Sequence, residues 1–180
     1  MDKTPNPAPS GTMTAEEEAR MVAALAEVFD LARHGDAAAL AALIARGMPP
    51  DLRNEKGDSL LMLAAYHGHV DAVRTLLEAG ASPDLRNAAG QTPIAGAAFK
   101  GFREVIETLL AHGADVEGAS PDGRTALMTA AMFNRTEIMD LLIAHGANPD
   151  ARDSRGLSAA DAAAFMGAGR AAAHLGGPHQ

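Results

Sequence analysis

The chain has 180 residues, no cysteine and a formal net charge of −8. The lack of cysteine excludes disulfides, thiolate nucleophiles and thiolate metal sites. The negative charge argues against nucleic acid as a partner, because binding to phosphates needs an excess of Lys and Arg. Apolar stretches stay well below the roughly 18 residues that span a bilayer, so no membrane segment is expected. The length fits one compact domain or one short solenoid.

The N-terminal part of the chain predicts a tail followed by a helical cap. Residues 1–13 are rich in Pro, Thr and Ser, and we predict a disordered tail there. This segment lacks the apolar core of a secretory signal, so the expected location is the cytoplasm. Thr14 and Glu17 form a Thr-x-x-Glu capping box that predicts a helix start. With a second, shorter helix this region forms a predicted cap over residues 14–50. The apolar face of the first helix comprises Met21, Val22, Leu25, Val28, Phe29 and Ala32.

A period of 33 residues runs through the rest of the chain. The segment Asp-Leu-Arg-Asn begins at Asp51, recurs at Asp84 and returns loosely at Asp150. A fixed period of this length indicates stacked structural repeats. The predicted units are 51–83, 84–116, 117–149 and a C-terminal cap, 150–180. Further columns at the same step are Gly57, Gly90, Gly123 and Gly156; Ala64, Ala97, Ala130 and Ala163; and Leu76, Leu109, Leu142 and Leu175.

Each unit is predicted to contain a turn and two short helices. Gly57 can adopt positive φ in the turn, and the Ser59 hydroxyl can cap the first helix. Gly68 ends that helix, and Gly80 ends the second one. Isolated helices shorter than about 12–15 residues are marginal in water, so stacking must supply the stability. The alanine column allows neighbouring helices to pack closely, which predicts a thin core.

These features resemble the ankyrin repeat, a 33-residue unit of turn, helix, helix and return loop. The family's Thr-Pro-Leu-His-x-Ala-Ala signature is best kept at residues 92–98, and its Leu-Leu-x-x-Gly-Ala ending recurs at 76–81, 109–114 and 142–147. The resemblance implies an all-α ankyrin-repeat solenoid of about five stacked helix-turn-helix units with degenerate terminal caps. The dominance of Arg over Lys and the abundance of Ala suggest a high-GC genome, and we predict a bacterial source.

One departure from the family concerns its signature histidine. In the family this side chain forms hydrogen bonds between neighbouring loops. We therefore predict that apolar contact replaces this tether at Met62 and Met128. The residues at the signature position are Met62, Ala95, Met128 and Asp161.

Four of the six aromatic residues fall in one column of the repeat, at the end of the first helix of each unit. By resemblance to ankyrins, this column faces the concave groove where partners bind. The side chains either pack between repeats or form a partly exposed binding stripe. The second interpretation is favoured because alanine neighbours cover an aromatic ring poorly. The column consists of Tyr66, His67, Phe99, Lys100, Met132, Phe133, Phe165 and Met166.

The loops contribute a second column, Arg53, Arg86 and Arg152, at the same step of 33. These arginines either pair with the aspartates two residues earlier, in surface bridges worth roughly 0–1 kcal/mol, or present guanidinium forks to carboxylates of a partner. Other loop-tip residues vary between units while the framework does not. A recognition surface predicts that pattern, and solvent exposure alone predicts it equally. The variable tip residues proposed to contact a partner are Glu55, Lys56, Asp58, Gln91 and Arg124.

No catalytic motif occurs in the chain, and we predict no enzyme activity, no cofactor and no metal. The predicted function is a monomeric module that binds another protein in the groove, anchored by the aromatic column and oriented by the loop arginines. Three alternatives remain: a regulatory, inhibitory or immunity-type subunit whose acidic surface plugs a basic site, a small-ligand or metal binder, and a structural spacer without a partner. The ligand-binding alternative would use His67, His69 and His112.

Overall fold

A computed structural model of the chain describes residues 13–176, and in this range it contains helices and loops but no strand. A single isolated β-bridge joins Arg53 and Ser59. The predicted all-α class is therefore confirmed. The helices are α1 Ala15–His34, α2 Ala37–Ala45, α3 Leu60–His67, α4 Val70–Glu78, α5 Pro93–Lys100, α6 Arg103–Ala111, α7 Ala126–Met132, α8 Thr136–Ala144, α9 Ala159–Phe165 and α10 Gly169–Gly176.

The helices form five consecutive pairs arranged in two layers. The first helices of the pairs, α1, α3, α5, α7 and α9, contact one another in series, and the second helices pack on their outer side. Each predicted unit from 14–50 to 150–180 contains one pair, while the exact unit limits remain a prediction. The predicted disorder of residues 1–13 lies outside the described residues, apart from Met13, which is exposed.

Alanine makes the close stacking possible. Ala64, Ala97, Ala130 and Ala163 are completely buried, and so are the alanines that follow the first three of them. Because alanine has only a methyl side chain, adjacent first helices can approach closely. The alanines that the sequence placed between helices are therefore buried as predicted, while the thinness of the core remains a prediction.

Helices α1 and α3 begin, and α3 ends, at the capping residues that the sequence predicted. The Ser59 hydroxyl accepts from the backbone N–H of Met62 at 3.0 Å, and Gly68 ends α3 in the left-handed conformation. The predicted capping box of α1 is present: Glu17 accepts from the Thr14 N–H at 2.8 Å, and the Thr14 hydroxyl accepts from the Glu17 N–H at 3.2 Å. Met62 is buried, as predicted for a residue that replaces the signature histidine by apolar contact.

The apolar face of α1 differs from the expected packing face. Phe29 and Ala32 are buried, but Met21, Val22 and Leu25 remain 49%, 65% and 41% exposed. The reason is the length of α1, which has 20 residues where α3 has 8. One repeat step before Leu60 is Glu27, so the first twelve residues of α1, about 18 Å, extend past the start of α3. Within residues 13–176 no other first helix packs against them.

Candidate functional site

An open groove with a volume of about 1450 Å³ runs along the first helices. Its walls come from α1, α3, α5 and α7 and from the loops that precede the last three of these helices. Stacked repeats commonly create extended concave surfaces of this kind, which bind partners. The groove is therefore the candidate site.

Three rings form an aromatic row along this groove: Tyr66, Phe99 and Phe133. The rings of Tyr66 and Phe99 stack with centroids 6.1 Å apart, and Phe99 meets Phe133 edge to face at 4.5 Å. Tyr66 is 37% and Phe133 40% exposed, while Phe99 is half-buried between them. These three rings therefore pack on one another across the repeats, as one interpretation predicts. They also expose apolar surface to solvent, as the other predicts.

Lys100 and His67 flank the aromatic row at the ends of the first helices. The Nζ atom of Lys100 lies 4.9 Å from the centroid of the Tyr66 ring, within the range of a cation–π interaction. The His67 ring lies edge to face with Tyr66, at 5.6 Å. Burial lowers the pKa of His67, and the neighbouring positive groups, His69 first and then Lys100, lower it further. The Lys100 ammonium group therefore places a positive charge at this end of the groove.

Several predicted site residues lie apart from the groove. Phe165 is 79% exposed on the last repeat, beside the exposed Met166, and neither lines the groove. Arg86 and Arg152 do not line it either, whereas Met132 does. The groove ends at α7, so the members of the aromatic column on the last repeat, Phe165 and Met166, lie outside it.

The loop arginines contact neighbouring backbone rather than the aspartates two residues before them. The Arg53 guanidinium donates to the carbonyl of Arg86 in the next loop. In turn, Arg86 Nε donates to the carbonyl of Ala119 at 3.0 Å, and Arg152 donates to the carbonyl of Gly156 at 2.7 Å. Arg53 and Arg86 therefore join successive loops. A contact between these arginines and a partner remains a prediction.

The carboxylates of the same loops also join successive repeats. Asp51 accepts from the backbone N–H of Ser82 at 2.8 Å. Asp84 accepts in the same way from Asp115 at 3.0 Å, and Glu117 accepts from Asn148 at 2.6 Å. The expected pairing of Asp51 with Arg53 and of Asp84 with Arg86 is replaced by these bonds across 31 residues. They therefore connect each of these repeats to the next one.

A further pair of residues at the 33-residue step, Asn54 and Asn87, stabilises the turns at the loop tips. The sequence analysis did not single out this pair. Asn54 Oδ1 accepts from the N–H groups of Lys56 and Asp58, both at 2.9 Å. Asn87 Oδ1 accepts equivalently from Ala89 and Gln91. The recurrence of this residue within the repeated Asp-Leu-Arg-Asn segment was the available signal. These bonds hold the turns that carry Glu55, Lys56, Asp58 and Gln91, and in the next loop the Ser120 hydroxyl accepts from the N–H of Arg124 at 3.2 Å. All five of these predicted tip residues line the groove together with Arg53.

Helix α1 supplies a wall of the groove that the sequence analysis assigned to the cap. Val22, Leu25 and Phe29 line it. The length of the helical sequence pattern could have predicted this wall, because the pattern begins at Thr14 and exceeds the first helix of the other repeats by about three turns. The exposed apolar residues of α1 thus extend the apolar surface of the groove.

Two other classes of site find no support within residues 13–176. No three side chains of the His, Asp or Glu type converge there as metal ligands would. No helix of this part of the chain has the length and apolarity needed to cross a membrane.

Comparison with known proteins defines the class of this chain. A family model described as ankyrin repeats, in three copies, matches residues 28–120, and a single ankyrin repeat matches residues 122–154. The chain belongs to the ankyrin-repeat family. A 40-residue stretch is 60% identical to part of PA3287 of Pseudomonas aeruginosa, whose name describes it as an ankyrin repeat protein. That match covers 22% of this chain and 23% of the relative, and the bacterial relative agrees with the predicted bacterial source.

Proposed function

We propose that this protein is a non-catalytic interaction module, monomeric and cytoplasmic, that binds a segment of another protein in its groove. The observation that carries this proposal is the aromatic row. Most other large apolar side chains of the repeats are buried, whereas these rings lie in register along an open groove. Aromatic residues, Phe and Tyr among them, are enriched at protein interfaces relative to the rest of the protein surface.

In the proposed mode of binding, one set of residues anchors the partner segment and another set orients it. Tyr66, Phe99 and Phe133 provide the apolar contact, and the exposed α1 residues Val22 and Leu25 extend it. Because Arg53 and Arg86 are already engaged with neighbouring loops, we assign orientation mainly to the variable loop tips. Changing the exposed tip residues Glu55 and Lys56 would alter specificity.

Affinity capture tests the proposal. The wild-type protein and the variant Phe99→Ser/Phe133→Ser are used as baits in lysate of the native host, and bound proteins are identified by mass spectrometry. Phe165→Ser is the matched control, since it removes an exposed ring outside the groove. We expect a protein that wild type and control retain and the double variant loses. Equal capture by all three baits would place the binding surface elsewhere.

The inhibitory alternative is favoured by a specific feature of the outer layer. Helices α4, α6 and α8 expose carboxylates to solvent, among them Asp71, Glu104 and Glu137. A basic site on an enzyme could be covered by this face. Salt distinguishes the two proposals, because binding through exposed charges weakens strongly as ionic strength rises, whereas apolar anchoring in the groove depends on it less.

A further inference from the structure

Charges are distributed unevenly around the groove. Four cations border the aromatic row, and within the described part of the chain none of them forms an ion pair with a carboxylate. Lys56 and Arg53 lie on the loop side. Lys100 lies over the ring of Tyr66, and Arg135 donates to the carbonyl of Phe99 at 3.4 Å. These cations lack carboxylate partners although the chain has eight more carboxylates than Lys and Arg.

Three carboxylates line the groove, Glu55, Asp58 and Asp122. Asp58 accepts from the Asn87 amide at 2.9 Å. Asp122 pairs with Arg124 at 2.9 Å. Four cations, Arg33, Arg53, Lys56 and Arg124, line the groove with them, and Lys100 and Arg135 lie beside Phe99, so cations outnumber carboxylates in and around the groove.

We propose that the groove binds an acidic segment of a partner protein, in which large apolar side chains alternate with carboxylates. This inference rests on the proposed function. The apolar side chains pack on the aromatic row, and the carboxylates pair with Lys100 at one edge and with Lys56 at the other. Such a ligand supplies carboxylates for Lys56 and Lys100, which form no ion pair within residues 13–176.

The position of Lys100 makes it the principal charge contact. Its ammonium group lies 4.9 Å from the Tyr66 ring centroid and 6.0 Å from that of Phe99. A carboxylate that reaches Lys100 therefore brings the neighbouring residue of the ligand directly onto the rings. The lowered pKa of His67, caused by burial and then by the positive charges of His69 and Lys100, is consistent with a positive potential at this edge.

A random library of 16-residue peptides displayed on phage tests the inference. Selection is carried out on the immobilised full chain, with Phe99→Ser/Phe133→Ser as the bait for counter-selection. We expect enriched peptides that combine Asp or Glu with Leu, Ile, Phe or Trp. Peptides enriched by the wild type but without acidic residues would overturn this inference and leave the proposed groove intact. No enrichment, or equal enrichment by both baits, would overturn both.

Charge substitutions then test the contacts of the best synthetic peptide. Lys100→Gln should weaken binding about tenfold, and replacing the peptide's carboxylates by amides should remove most of that difference. Arg46→Gln is the control, because it also removes one exposed cation but lies at the end of α2. Equal effects of the two variants would refute a direct contact. Dimerisation of the free protein that is lost in Lys100→Gln would assign the groove to a second copy and likewise overturn the proposal.

Discussion

Phe99 on α5 and Phe133 at the end of α7 meet edge to face with their ring centroids 4.5 Å apart. This contact joins two repeats at the groove surface instead of in the core. Aromatic pairs of this geometry contribute about 0.5–1.5 kcal/mol beyond the area that they bury. The pair therefore adds a modest amount to stability and keeps both rings in position for a ligand.

Phe133→Ser should separate binding from folding. The ring is 40% exposed, so we expect the free energy of unfolding to fall by about 1–3 kcal/mol through loss of the aromatic contact and of the buried part of the ring. Affinity for a groove ligand should fall roughly tenfold or more, or about 1.4 kcal/mol. Urea unfolding and isothermal titration calorimetry measure the two quantities. Phe165→Ser should leave affinity unchanged, and a comparable loss from that control would contradict the assignment of the groove.

The carboxylate tethers between repeats should stabilise the stack. Asp84→Ala removes the acceptor for the Asp115 N–H, and we expect a loss of about 1 kcal/mol, or roughly 2–4 °C in the melting temperature for a chain of this size. Circular dichroism during heating measures this change.

Asp150→Ala is the matched control for the tether. Asp150 occupies the same repeat position, but its carboxylate accepts no hydrogen bond from residues 13–176. Its replacement should shift the melting temperature by less than about 2 °C, because surface substitutions usually change stability by under about 0.5 kcal/mol. Equal shifts for both variants would show that the tether contributes nothing.

Two turn glycines allow the close approach of successive loops to be tested. Both Gly57 and Gly156 have positive φ, at 74° and 79°, so alanine is strained in either place. A Cβ at Gly57 would lie 2.8 Å from the backbone nitrogen of Ala88, whereas one at Gly156 would meet nothing within 4 Å. Gly57→Ala should therefore destabilise the protein clearly more than Gly156→Ala in urea unfolding. Equal losses would show that the loops can separate without cost.

The protonation of His67 should report on the charge around it. Burial and then the positive charges of His69 and Lys100 lower its pKa from 6.5. Because the folded state binds this proton more weakly than the unfolded state, the contribution of His67 to stability declines as the pH falls through the unfolded-state pKa, and it levels off below the folded-state pKa. NMR titration should show the His67 pKa rising in Lys100→Gln. An unchanged value would mean that Lys100 lies farther from the imidazole.

Features set by neighbours in sequence could be predicted without the tertiary structure. Ser59 caps a helix whose third residue donates to it, and Gly68 ends the same helix through its own backbone conformation. Interactions within a few residues depend little on the rest of the chain. The 33-residue period then predicted which alanines lie between helices, because equivalent positions in stacked repeats occupy equivalent environments.

The partners of the loop charges could not be predicted in this way. Asp51 and Arg53 are two residues apart, which suggested an ion pair, yet their partners lie 31 and 33 residues further along the chain. In the stack, each loop lies beside the equivalent part of the next repeat. Backbone groups there compete successfully with the nearby opposite charge, since a surface ion pair contributes little.

The repeat, its helices and the column that holds the aromatic residues could be predicted from the sequence, because they depend on local capping and on a fixed period. Three features emerged from the packing of the repeats: which members of that column share a groove, which arginines bond to neighbouring loops, and that the apolar residues in the first half of α1 are exposed. These features depend on how each repeat packs against the next one. The register of stacking brings Tyr66, Phe99 and Phe133 together and leaves Phe165 outside.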